Sequence, residues 1–209
     1  MPTRRELLLS LIASPAAAAL VNPVSAFSGE PEIWAETHYL SQESARGFRL
    51  LLNERTPPNT IILSGARELS AQRCRQVLCR ARAGAWVVCE SGLCFSSREE
   101  SLRQAHVWNA MFGLRVLPPV RVGDGHPYVA YNWPVRRLVR SFHAITPIRC
   151  GSRDVIAEFG GVPVCAKQSI GRGGVVYLGS MLGPGLYAEE PEAHALGSAM
   201  LRTFERSDL

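Results

Sequence analysis

The chain is nearly without lysine: Lys167 stands alone among 23 lysine and arginine residues, and the formal net charge is only +5. Apart from Arg136-Arg137 and Arg140, the arginines are scattered along the sequence. A nucleic-acid surface needs basic side chains gathered into a patch or stripe. The composition therefore indicates no nucleic-acid partner.

The sequence also lacks the short motifs of several common sites. None of its six cysteines forms a Cys-x-x-Cys pair, which argues against a zinc knuckle or a thioredoxin-like redox site. It carries no Walker or dinucleotide-binding fingerprint either. We therefore expect no bound metal and no cofactor. The cysteines leave two alternatives open, buried free thiols or one or two disulfides, with Cys150 and Cys165 a candidate pair.

The first residues combine a basic start with an apolar run that ends near Leu20 and is too short to span a bilayer stably. Val24-Ser25-Ala26 then offers the small residues of a signal-peptidase site, which predicts cleavage after Ala26. Arg4-Arg5, with Thr3 before them and leucines after, resemble the twin-arginine export motif. The resemblance implies the twin-arginine export machinery as a partner and a periplasmic or secreted location. An ordinary secretory signal is the alternative.

Residues 27–209 have a length suited to one domain. Helical spacing follows Ser41 as far as about Arg55, and a second helical segment runs from Ser70 to about Ala83. The wholly apolar stretches 60–63 and 85–89 are typical of buried strands. Apolar strands with a helix between them predict a parallel sheet that is covered on both faces.

The later part of the chain predicts shorter elements, with an irregular stretch from Pro118 to Pro147. Expected are a helix at 96–113, strands at 114–117, 128–132 and 138–142, a hairpin of 155–159 and 162–166 across Gly160-Gly161, a last strand at 175–178 and a closing helix at 191–204. The whole predicts an α/β fold: a three-layer, flavodoxin-like sandwich with a mostly parallel sheet and a C-terminal β-hairpin.

In an open α/β sheet, ligands bind outside the carboxyl ends of the parallel strands. The loops at 64–68, 90–93 and 179–184 would lie there. We therefore take Arg67, Glu68 and Ser180 as candidate ligand-binding residues. The middle loop has the outline of a nucleophile elbow, a strand that turns sharply into a helix, but it has glycine on only one side, at Gly92.

The turn Glu90-Ser91-Gly92 and the late pattern of a hairpin, residues 171–180 and a final helix resemble the class I glutamine-amidotransferase-like superfamily. The resemblance covers roughly residues 60–205. It is to degenerate members, such as trehalose-utilisation-protein-like domains and the middle domain of some β-galactosidases. It implies an amidotransferase-like fold for the domain.

Amidotransferases of that superfamily use a cysteine on the elbow, with a histidine and a glutamate supplied near the C-terminus. Here Cys89 lies at the strand end, and His194 follows Glu192, which reverses the expected order. Thiolate attack also needs a base within hydrogen-bond reach, and the spacing ensures none. The resemblance therefore implies a domain without glutaminase activity.

Two functions remain open. The first is an exported, non-catalytic domain that binds a small polar ligand, such as a carbohydrate, or a protein partner, in a shallow cleft at Arg67, Glu90 and Ser180. The second is a hydrolase or amidase with Ser91 or Cys89 as nucleophile, Glu90 in acid-base work, and His143 or His194 as its partner. The first is favoured because no complete catalytic constellation is visible. In this non-catalytic hypothesis, Glu90 caps a helix or pairs with Arg67.

Overall fold

A computed structural model describes residues 31–35, 39–54, 59–64, 71–90, 109, 113–122, 128–142 and 144–206. The strands are β1 Glu32–Ala35, β2 Thr60–Ser64, β3 Trp86–Glu90, β4 Arg115–Val116, β5 Val120–Arg121, β6 Tyr128–Tyr131, β7 Arg137–Arg140, β8 Ala144–Ile145, β9 Ile148–Arg149, β10 Val155–Phe159, β11 Val162–Ile170 and β12 Gly173–Leu178. The helices are α1 Tyr39–Glu54, α2 Ala71–Ala83, α3 Gly183–Tyr187 and α4 Pro191–Arg206.

The main sheet has eight strands in the order β1-β2-β3-β12-β11-β10-β6-β7, and it curls into a half-barrel. Strands β1, β2, β3 and β12 run parallel to one another. The remaining pairings, from β12 through β11, β10 and β6 to β7, are antiparallel. The fold is therefore a mixed α/β fold with a parallel half and an antiparallel half.

The expectation of a mostly parallel, flavodoxin-like sheet is wrong. Buried parallel strands and buried antiparallel strands both appear in a sequence as short apolar runs, so the pattern does not reveal strand direction. Direction is set by the connections, and here short turns such as Gly160-Gly161 force consecutive strands to run antiparallel. In the structure, the residues of β6 alternate between exposed and buried, as is usual for an antiparallel strand with one covered face, but its sequence Tyr-Val-Ala-Tyr is apolar throughout and does not reveal this.

Strands β10 and β11 pair across Gly160 and Gly161, whose positive φ angles of 56° and 79° suit glycine. This antiparallel pair lies inside the sheet, because β11 continues to Ile170 and pairs on its other side with β12. Helices α3 and α4 follow later in the chain. The structure therefore does not show the pair as a separate C-terminal hairpin.

Helices cover both faces of the parallel half. One core joins α1, α3 and α4 to the strand residues Ile62, Val88 and Val176, while the other joins α2 to Ile61, Val87 and Val175. Neighbouring strand residues face opposite sides, which is why each buried strand contributes to both cores. Within the described residues, no helix combines the length and apolarity needed to cross a membrane.

Most predicted elements are present within the described residues, with boundaries shifted by at most two positions except in β11, which extends four residues beyond the predicted end. The helix at 41–55 is α1, that at 70–83 is α2, and the closing helix is α4, which extends to Arg206. The sequence reasoning missed β1, the two-residue strands β5, β8 and β9, and the short α3, which opens at Gly183-Pro184. The helix expected at 96–113 and the signal expected at 1–26 lie outside the described residues.

Candidate functional site

Polar side chains meet at the carboxyl ends of the parallel strands. Ser64 ends β2, Glu90 ends β3, and Ser180 follows β12 by two positions. Their exposed fractions are 0%, 1% and 3%. This edge, where α/β folds usually bind ligands, therefore holds buried polar groups in the part of the chain that the structure describes.

Glu90 binds four hydrogen-bond donors from three elements. Its Oε1 accepts the backbone N–H groups of Leu182, at 2.6 Å, and Gly183, at 2.9 Å. Its Oε2 accepts the hydroxyl of Ser44 on α1 and, at 3.4 Å, that of Ser64. The first N–H groups of a helix have no partner within the helix, and Leu182 supplies no side-chain cap to α3. Glu90 therefore caps α3 from a distant position in the sequence.

The electrostatics of Glu90 follow from its burial. Desolvation raises the pKa of the Glu90 carboxyl, because the charged form loses water, while the hydrogen bonds, that from Ser44 foremost, act in the opposite direction. A raised carboxyl pKa in a cleft is typical of a catalytic acid. Here, however, the carboxyl is 1% exposed and surrounded by donors from the fold itself. Its geometry indicates a structural anchor.

Cys89 points to the opposite side of the sheet from Glu90. It lies in the core beneath α2, together with Cys74 and Val77, and its exposed fraction is 0%. Burial, reinforced by Cys74, raises the pKa of the Cys89 thiol well above its ordinary value. Because the thiolate is the nucleophilic form, this environment argues against Cys89 as a nucleophile.

His194 serves the packing of the two last helices. Its Nε2 lies 3.0 Å from the carbonyl oxygen of Leu186, so that a ring N–H donates from α4 to α3. Within the described residues, no hydrogen bond joins a histidine to Glu90 or Cys89. The neighbouring Glu192 pairs instead with Arg137, Nε to Oε2, at 3.1 Å. His194 is therefore not brought into hydrogen-bond contact with Glu90 or Cys89.

The other predicted site residues divide into two groups. Ser180 is described: its hydroxyl donates to the hydroxyl of Ser141 at 3.1 Å, inside the protein. Ser91, His143, Arg67 and Glu68 lie outside the described residues, so the possible pairing of Arg67 with Glu90 stays a prediction.

Sequence reasoning missed several members of the buried polar cluster. Ser44 was one, although a serine on the apolar stripe of α1 beside Ala45 and Phe48 was an available signal. Tyr131 and Cys165 were others, with the Cys165 thiol 3.5 Å from the Tyr131 hydroxyl. Burial raises the pKa of Cys165 to about 11 and that of Tyr131 well above its usual value. Both side chains are therefore neutral at pH 7.

Two open grooves flank the ion pair between Arg137 and Glu192. The first, which we call the strand groove, has a volume of about 710 Å³ and is lined by Ala130, Tyr131, Asn132, Arg136, Arg137, Leu138, Glu158 and Glu192. The second, the helix groove, has a volume of about 370 Å³ and is lined by Pro134, Val135, Arg137, Ala195, Ser198, Ala199, Arg202 and Thr203. Both lie at the antiparallel end of the sheet, away from Glu90.

No cluster of three or more His, Cys, Asp or Glu side chains within the described residues has the arrangement of a metal site. The cysteines that the structure describes are free thiols: Cys74, Cys79, Cys89, Cys150 and Cys165. Cys150 and Cys165 are therefore not bonded to each other. The alternative of buried free thiols holds for Cys74, Cys89 and Cys165, whereas Cys79 is exposed.

No known protein family and no curated protein matches this chain by sequence. Solved structures do share its fold. A β-galactosidase from Bacillus circulans sp. alkalophilus matches at 11% identity with a TM-score of 0.59, over 85% of this chain and 30% of that one. An exo-β-1,4-mannosidase from Opitutaceae bacterium strain TAV5 matches at 11% identity and 0.54, over 96% and 38%.

A cytoplasmic protein from Salmonella typhimurium LT2 is also similar, at 11% identity with a TM-score of 0.57. The match covers 83% of this chain and 98% of that one, whereas this chain spans only about a third of the two glycosidases. The same fold thus occurs as a part of glycoside hydrolases and as nearly a whole chain.

These matches correct the assignment to the class I glutamine amidotransferases. The fold is one found in glycoside hydrolases, and the β-galactosidases and the mannosidase are the structures that show it. The assignment depended on an elbow turn and a strand order, and a short turn after an apolar strand occurs in many unrelated folds. The buried thiol of Cys89 likewise removes the elbow cysteine on which an amidotransferase depends. Neither the structure nor these matches support the twin-arginine signal.

Proposed function

We propose that this protein is a non-catalytic binding domain whose ligand is a carbohydrate, held in the strand groove. The observation that carries the proposal is the state of Glu90. The carboxylate at the position where an α/β enzyme holds reactive groups is buried and bound by four donors of the fold. The open polar surface lies elsewhere.

The strand groove has the chemical composition that a sugar requires. Asn132, Arg136 and Glu158 offer hydrogen-bond donors and acceptors, and Leu138, 61% exposed, offers an apolar surface beside them. A sugar ring presents hydroxyls at its rim and C–H groups on its faces, so a few polar side chains around an apolar contact suit it. The glycosidases that share the fold act on carbohydrates by name, which supports the same ligand class.

Binding is tested by titrating the full chain with oligosaccharides of galactose and of mannose in a calorimeter. We expect binding that Leu138→Asp abolishes, because a carboxylate replaces the apolar contact. Leu50→Asp is the matched control: Leu50 is also an exposed leucine, 43% accessible, but lies on α1. Equal loss in both variants, or no binding of any oligosaccharide, would contradict the proposal.

Catalysis is tested separately with chromogenic glycosides, esters and amides. We expect no turnover above that of the Glu90→Gln variant. Turnover that disappears in Ser91→Ala would instead support the hydrolase or amidase alternative. Export and a periplasmic location remain predictions from the sequence, to be checked by fractionating cells that produce the full chain.

A further inference from the structure

Arg137 connects the two grooves. Its Nε lies 3.1 Å from Oε2 of Glu192, and the two side chains are 40% and 56% exposed. Both residues line the strand groove, but only Arg137 lines the helix groove. The ion pair therefore lies at the boundary between the grooves, and a ligand that extends past it from the strand groove reaches the helix groove.

The helix groove has a one-sided charge. Its lining contains two arginines, Arg137 and Arg202, and no aspartate or glutamate. Ala195, Ser198 and Arg202 follow one another on α4 at intervals of one helical turn, so they share the face that looks across to Pro134-Val135. The groove thus presents two guanidinium groups and the Ser198 hydroxyl toward the same space.

Two cations that face one cavity repel each other, and an anion placed between them is attracted to both. Guanidinium groups bind carboxylate and sulfate oxygens in a bidentate manner, with bonds stronger than those between neutral groups. Arg202 forms no ion pair with any described residue, and the Glu192 bound to Arg137 is exposed enough for water or another anion to replace it. An anionic group therefore fits the helix groove better than a neutral sugar does.

We propose that the helix groove binds the carboxylate or sulfate ester of an acidic sugar unit, so that the ligand of the domain is an anionic oligosaccharide that spans both grooves. The proposal rests on the proposed function and names the ligand class of the same site. The two anionic groups share their recognition chemistry, so the experiment separates them.

The test compares three probes of equal length: a neutral galactose oligosaccharide, an oligogalacturonate and a sulfated galactose oligosaccharide. We expect one or both charged probes to bind at least about tenfold more tightly than the neutral one, because hydrogen bonds between two charged groups are stronger than those between neutral groups. The charged probe that binds more tightly identifies the group. The preference is expected to weaken between about 20 mM and about 200 mM salt, because exposed charges are screened.

Variants show which residues cause the preference for charged probes. Arg202→Gln is expected to lower the ratio of charged-probe affinity to neutral-probe affinity toward one. Glu192→Gln is expected to raise this ratio, because the substitution frees Arg137 and removes a negative charge. Arg49→Gln removes an equivalent exposed arginine from α1 and is expected to change nothing.

Equal affinity for all three probes would overturn this inference and leave the proposed function standing. The absence of binding to every probe would remove both. Binding of polyglutamate as tightly as the best sugar probe would also overturn the inference, since charge alone would then explain the preference.

Discussion

At the scale of single residues, Glu90 shows how a polar group that resembles a catalytic one can serve the fold. Its carboxyl joins α1, β2 and the start of α3 through Ser44, Ser64 and the N–H groups of residues 182 and 183. A buried donor without an acceptor costs about 1–3 kcal/mol. The carboxyl therefore stabilises three elements at once, although its own burial is unfavourable.

Two substitutions at Glu90 separate its shape from its charge. Glu90→Ala leaves two buried N–H groups without an acceptor and opens a cavity, so we expect a loss of about 3 kcal/mol or more in the free energy of unfolding. Glu90→Gln keeps an acceptor for both N–H groups, so we expect it to change the free energy of unfolding by only about 1 kcal/mol, the net contribution of one ordinary hydrogen bond. Denaturant unfolding at pH 7 measures both. Similar losses in the two variants would contradict the capping role.

The raised pKa of Glu90 also predicts how stability depends on pH. In the folded protein this carboxyl holds its proton to a higher pH than its ordinary value of 4.5, because burial disfavours the charge. Between pH 4.5 and the raised pKa of the folded state, the folded protein therefore binds more protons than the unfolded chain. Stability falls as the pH rises through this window. The contribution is fully present below 4.5 and lost above the folded-state pKa.

The measurement is the difference in unfolding free energy between the native chain and Glu90→Gln across the pH range. Taking this difference cancels the titration of the other groups. We expect it to decline with rising pH and then to level off. A difference that rises with pH, or that stays flat, would show that Glu90 is not held in this environment.

Part of this residue-level organisation could be predicted from the sequence. Glu90 and Ser180 could be placed at strand ends because polar residues directly follow apolar runs. Their partners could not, since Ser44 is 46 positions and Leu182 is 92 positions from Glu90. No spacing rule reaches across such separations; only the folded sheet brings these atoms together.

At the scale of elements, close packing of α1 against α3 depends on a glycine. A Cβ at Gly47 would overlap the backbone carbonyl of Gly183 and lie 2.7 Å from the backbone nitrogen of Tyr187. Backbone atoms cannot move aside as the end of a side chain can. The two helices therefore approach more closely than any other residue at this position permits.

Gly47→Ala tests this packing. Helix propensity alone predicts a gain of about 1 kcal/mol in stability, because alanine is the better helix former. The contacts predict instead a loss of about 1–3 kcal/mol or more from overpacking. Thermal or denaturant unfolding decides between the two signs. Asn53→Ala, an exposed position on the same helix, is the control and is expected to be nearly neutral.

The sequence predicted the long helices and buried strands because their apolar spacing is regular over many residues. The two-residue strands β5, β8 and β9, the strand β1 and the helix α3 escaped it. β1 has only four residues, all half-buried, and α3 opens with Gly183-Pro184-Gly185, residues that favour turns. The helical state of α3 depends on its contacts with α1 and on the Glu90 cap, which are tertiary features.

At the scale of the whole molecule, the two halves of the sheet differ in their protection. Every residue of β2, β3 and β12 is buried, because helices cover both faces. In β6 and β7, Val129, Tyr131 and Val139 face the core, whereas Tyr128 and Leu138 are 54% and 61% exposed. β7 is also an edge strand, hydrogen-bonded on one side only.

This asymmetry predicts the order of amide hydrogen exchange. Local opening costs least where few apolar contacts are lost, so the segment 128–140 should exchange before β3 and β12 do. We expect a difference of at least about tenfold in exchange rate, about 1.4 kcal/mol in opening free energy. Peptide-resolved exchange followed by mass spectrometry measures it. Equal protection of both halves would mean that the sheet opens as one unit.

The sequence by itself determined the α/β class, most element positions and the strand-end location of Glu90, because these depend on local spacing of apolar and polar residues. Tertiary structure decided the direction of the strands, the partners of Glu90, the burial of Cys89 and the grooves beside Arg137. Each of these depends on which distant segments meet. Short-range pattern carries no information on that, since any apolar strand can pair with several others in either direction.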